Sequence, residues 1–135
     1  WGVFEHFENG PQDCIGEALR VIKPGGYLFM STPLDNLRHA IRGTFGGKKE
    51  LDEKSRFYQY RFTRSELSAE LTRGGFEVLK MHPIHKRQGV LRSLHHEMKL
   101  PYEWFVTKGL SAALSPFVPG IFVAHMVLAV ARKPE

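Results

Sequence analysis

The stretch from Glu17 to Pro33, EALRVIKPGGYLFMSTP, constrains the fold more than any other part of the chain. Ala18, Leu19 and Ile22 recur at helical spacing, so one face of a helix can turn inward. Pro24 cannot continue that helix, and Gly25 or Gly26 can take the positive φ that ends it. Tyr27 to Met30 is then an unbroken aromatic and apolar run, as expected of a strand covered on both faces in a parallel sheet. Ser31-Thr32-Pro33 stops it, because proline cannot donate to a ladder. In open α/β sheets ligands bind beyond the carboxyl ends of the strands, so a site is expected after Met30.

At 135 residues, with 42% hydrophobic and 24% charged side chains, the chain is expected to form a single domain, 1–135, with one core. No apolar run reaches the roughly 20 residues that span a bilayer. The longest, Ile121 to Ala131, contains His125 and reads as a buried strand. Cys14 is the only cysteine, which excludes an internal disulfide and a cysteine-cluster zinc site. A reducing, cytoplasmic setting is the expectation. The net charge of +5 and a pI near 9.5 suit an acidic partner, and equally a mildly basic surface of no consequence. There is no strong nucleic-acid signal.

Trp1-Gly2-Val3-Phe4 reads as the exit of a strand, and the chain as a piece of something longer. Asn9 or Gly10 is placed to cap a helix from about Pro11 to Lys23. Residues 34–60 carry six Lys or Arg, including Arg38 and Arg42, and three glycines. A connection of that length is usually functional, and it is read as a partly helical flap over the carboxyl edge of the sheet. Thr63-Arg64-Ser65-Glu66 is a capping box opening a helix that ends at Gly74-Gly75. Phe76 to Met81 alternates with period two and is read as a strand. Tyr102 to Leu114 is read as a helix with Trp104, Phe105 and Leu110 on its apolar face. The alternation of strands and helices implies α/β layering.

Several of these segments, taken together, resemble class I S-adenosylmethionine-dependent methyltransferases. They are Gly2-Val3-Phe4-Glu5-His6-Phe7, Glu17 to Gly26, Ser31-Thr32-Pro33, Tyr60 to Leu67, Gly74 to Val78, and His125 to Pro134. The resemblance implies a Rossmann-like sheet of which this chain supplies the carboxyl-terminal portion, from the end of the fourth strand at Trp1 to the seventh. It implies S-adenosylmethionine as cofactor, touched by Trp1, Gly2 and Val3. The family's glycine-rich loop and ribose-holding acid would lie upstream, so the chain alone is expected to be inactive.

His6, at the tip beside the cofactor's methionine part, is the candidate catalytic base for a substrate hydroxyl or amine. Its dull alternative is a loop-shaping hydrogen bond. Thr32, Asn36, Arg38 and Arg42 are candidates for the acceptor, with the arginines suited to an anionic group. Some quinone-pathway O-methyltransferases that resemble this stretch bind metal through Glu-x-x-Glu-His. Here Gly2 replaces the first carboxylate, and no metal is expected. The acceptor is expected to be a small or lipid-like molecule, held by segments 34–60 and 82–120. The rival reading is a non-catalytic binding or assembly module, using the basic flap on nucleic acid or acidic membrane, or self-associating through an exposed sheet edge.

Overall fold

The computed structural model describes residues 3–41, 43, 49–51, 54 and 56–135. Helix α1 spans Gln12–Val21. Its N-cap is Pro11, whose side chain can accept no bond, and not Asn9 or Gly10. The ring already holds φ at −83°, close to the helical value, which is why the helix starts there. It ends where Ile22 turns extended, and Gly25 takes φ +72° to reverse the chain.

Strand β1 (Tyr27–Pro33) follows, then the short helix α2 (Leu37–Ile41) and a hairpin of β2 (Lys49–Leu51) with β3 (Phe57–Tyr60). Helix α3 (Arg64–Arg73) opens on Thr63 with both halves of the capping box in place. Thr63 Oγ1 accepts from the Glu66 amide, and the Glu66 carboxylate accepts from the Thr63 amide. Strand β4 (Glu77–Ile84) runs three residues past the expected end at Met81. Helices α4 (Lys86–Met98), α5 (Phe105–Leu114) and α6 (Gly120–Val123) precede the last strand, β5 (Met126–Arg132). Among the described residues no helix is long and apolar enough to cross a membrane.

The main sheet has the order β1-β5-β4, with β5 antiparallel to both neighbours. The last strand therefore separates two strands that run parallel to each other. Met30 lies opposite Ala129 and Thr32 opposite Val127, while Met81 faces Ala129 from the other side. One face of this sheet meets Ile15 of α1 and Leu67 and Leu71 of α3, all fully buried. That contact is the core.

Three expectations are corrected. β1 is not covered on both faces throughout: its ladder partner is the antiparallel β5, and Tyr27 and Phe29 are more than half exposed. Only Met30 to Pro33, near the carboxyl end, are buried on both faces. The long strand expected from Ile121 begins instead at Met126. Pro119 caps a helical turn that the Ala124 amide closes onto the Gly120 carbonyl, which uses up residues 120–123. In α5 the expected apolar face points outward, with Phe105 77% exposed, whereas Thr107 and Ser111 are fully buried. Ser111 Oγ donates to the Lys108 carbonyl inside its own helix, which lets a small hydroxyl pack inward without a distant partner.

Candidate functional site

The chain leaving β1 is held on both sides. The Leu34 amide donates to the His125 carbonyl at 3.0 Å. The Asp35 amide donates to the Phe62 carbonyl at 2.8 Å, and the Phe62 amide to the Pro33 carbonyl at 3.1 Å. These bonds form a short parallel bridge, Leu34 to Phe62, that extends the rim of the sheet toward β3. Asn36 is buried, and its Nδ2 donates to the Ala124 carbonyl at 2.9 Å. The segment at the carboxyl end of β1 is thus fixed by backbone bonds, as a binding rim must be.

Two cavities flank this segment. The larger, about 520 Å³, lies between Asp35-Asn36-Leu37 and the start of α3 at Thr63, Arg64 and Ser65. The smaller, about 330 Å³, is the more enclosed. Arg38 and His39 of α2, Arg61 after β3, Arg92 and His96 of α4, and His125 before β5 line it. Asp35, fully buried, neighbours this group: His39 Nδ1 lies 3.0 Å from its Oδ1 and Arg61 Nε 4.0 Å from it. Arg38 Nε reaches Glu97 at 3.2 Å.

The residues singled out in the sequence fall as follows. Asn36 and Arg38 come together on the smaller cavity. Thr32 is fully buried on the core face, its Oγ1 has no hydrogen-bond partner among the described residues, and it lines neither cavity. Arg42, Trp1 and Gly2 lie outside the described residues. Val3 is half exposed at the N-cap of a 3-10 turn, Phe4–His6. That turn packs on β3 and β1, and the strand end expected at Trp1 lies outside the described residues. His6 is exposed, and its Nδ1 lies 2.8 Å from the Tyr58 carbonyl. A carbonyl only accepts, so Nδ1 carries the hydrogen and Nε2 is left as the basic nitrogen. His6 lines neither cavity. Cys14 is half-buried on α1; burial, with Asp13 beside it, pushes its thiol pKa up and keeps it protonated. Sequence reasoning missed Arg61, Arg92 and His96. Arg61 had a visible signal, since it sits at the exit of an aromatic strand; the α4 pair had none.

For a nucleoside cofactor the described residues supply little. Gly25 and Gly75 both occupy helix-to-strand turns at positive φ, and no glycine-rich loop follows a strand among the described residues. They do not build a nucleoside cradle by themselves.

The sheet order, the antiparallel last strand and the helices packed on its buried face define a class I methyltransferase-like fold. Solved structures bear this out. A methyltransferase by its description, from Bacillus halodurans C-125, superposes over 99% of this chain and 67% of its own length, with a TM-score of 0.53 and 19% identity. A protein from Listeria monocytogenes, described as an S-adenosylmethionine-dependent methyltransferase, matches over 96% of this chain and 58% of its own, with a TM-score of 0.50 and 13% identity. The chain thus spans about three-fifths to two-thirds of those two neighbours. No family model and no curated protein sequence matches it.

Proposed function

We propose that this chain is the acceptor-binding flank of an S-adenosylmethionine-dependent methyltransferase that acts on a small molecule. The observation that carries the reading is the polar cavity of about 330 Å³ at the carboxyl end of β1. That is where open α/β sheets bind their ligands, and the neighbours' descriptions as methyltransferases support methyl transfer as the reaction class. S-adenosylmethionine brings an already activated methyl group, so the protein's task is alignment more than acid–base chemistry. The part assigned to this chain is to hold the acceptor on Asn36 and Arg38. His6, which lines neither cavity, serves as the base only for an acceptor that extends from the cavity to its Nε2, the nitrogen that the Nδ1 bond to Tyr58 leaves as an acceptor.

The test uses the full-length protein with S-adenosylmethionine labelled on its methyl group and a pool of small-molecule acceptors. Label is expected to pass to a small acceptor. His6→Gln keeps a donor for the Tyr58 carbonyl but has no basic nitrogen, and it should slow transfer by about a hundredfold or more. Absence of transfer by the wild-type protein overturns the reading. Unchanged transfer by His6→Gln removes His6 from it.

A further inference from the structure

The smaller cavity has a composition that methyl transfer does not require. Among the described residues, three arginines and three histidines line it, together with Asn36 and Gln59, and no carboxylate does. Two of the arginines are answered from outside: Arg38 by Glu97 and Arg61 by Asp35. Arg92 is not. It is half-buried, and it has no hydrogen bond or ion pair among the described residues.

Its position is built, not incidental. Gly89, Arg92 and His96 fall three and four residues apart, so they share one face of α4. Gly89 is buried against Val123, and a Cβ there would stand 1.5 Å from the Val123 carbonyl oxygen. Only glycine allows so close an approach. The approach brings Arg92 and His96 into the lining of the cavity, together with Arg38 and Arg61. A half-buried guanidinium without a counter-charge loses hydration and gains nothing in return. Its planar fork suits a carboxylate or phosphate, which it can meet with two parallel bonds.

We infer that this cavity is an oxyanion-binding site, in which Arg92 grips a carboxylate or phosphate group of a small molecule. Asn36 and Gln59 add neutral polar groups to the same lining, and the arginines already paired to Glu97 and Asp35 raise the local positive potential. The size admits one headgroup and a short part of what carries it. That the anion belongs to the methyl acceptor rests on the function proposed above; the site itself does not.

The experiment is titration calorimetry of the full-length protein with inorganic phosphate and, separately, with benzoate, in the absence of any methyl donor. Saturable binding of either probe is expected, and the tighter one identifies the class of anion. Arg92→Gln should weaken that binding by about tenfold or more, with Arg92→Lys in between. Because Arg92 has no partner among the described residues, Arg92→Gln should leave the thermal midpoint unchanged, which separates lost binding from lost folding. Binding of both probes that does not saturate, or that Arg92→Gln leaves intact, overturns the inference. Failure here leaves methyl transfer standing, and failure of methyl transfer leaves the anion site standing.

Discussion

Glu5 is a buried carboxylate with one oxygen left unpaired among the described residues. Only 1% of it is exposed, and the unpaired oxygen is Oε2. Burial raises its carboxyl pKa above the ordinary value, although backbone amides and His6 pull the other way. The sign follows directly. The folded form keeps its proton over a window in which the unfolded chain has already lost it. Stability is therefore intact below the unfolded carboxylate pKa and falls as pH rises through the folded one. Glu5→Gln removes that charge at the same shape. It should raise stability by about 1–2 kcal/mol at neutral pH and change little at about pH 4. Thermal midpoints of both proteins across that range check it; parallel curves would show that Glu5 is solvated after all. His6, next to it, shows what sequence can give at this scale. Its type marked it as a base, but the Tyr58 carbonyl that sets its tautomer is 52 residues away in sequence and had no local signal.

At the scale of elements, punctuation decided what was legible. α3 was readable because Thr63 and Glu66 announce its start and Gly74-Gly75 its end. α4 was not, because it has neither signal. It starts after His85 and ends before Lys99, both non-glycine residues at positive φ, and no side chain caps its start. β4 runs past the end of its alternating pattern at Met81 and takes in Pro83. A strand bonded on one side only tolerates proline, and the main-sheet order puts β4 at an edge. α5 misled through composition: its apolar residues face out, and hydroxyls face α4. The cavity inherits these gaps, since two of its six basic side chains, Arg92 and His96, come from α4. The contact that seats this pair is also the easiest to break. Gly89→Ala must push α4 off the Val123 carbonyl, and backbone cannot yield as a side-chain tip would. The expected loss is about 1–3 kcal/mol, read as a lower urea midpoint, with weakened anion binding at temperatures where the protein stays folded. A variant with both properties unchanged would show that α4 does not sit where it is described.

Over the whole molecule, the order of the chain and the order of the sheet run against each other. The central strand, β5, is the last to appear, and β1 and β4 do not pair with each other. The core face of the sheet is therefore incomplete until residues 126–132 are in place, a non-local arrangement that is slow to assemble. The far end of β5 is then tied back to the first helix. The Lys133 amide donates to Gly26 at 2.8 Å, and its carbonyl accepts from Gly25 at 3.0 Å. Its Nζ donates to the Leu19 and Ile22 carbonyls at 2.7 and 2.9 Å. These are carbonyls at the end of α1 that no helical amide serves, at the pole where positive charge is favoured. One ammonium thus closes a link across more than 110 residues. Lys133→Met keeps the aliphatic stem and removes the donors. It should cost about 1–3 kcal/mol, seen as a lower urea midpoint with an unchanged slope, because the same surface is still exposed on unfolding. Adding salt should narrow the gap between the two proteins only slightly, since the ammonium is partly buried. An unchanged midpoint would mean that water serves those carbonyls equally well, and that the sheet alone holds β5 at the centre.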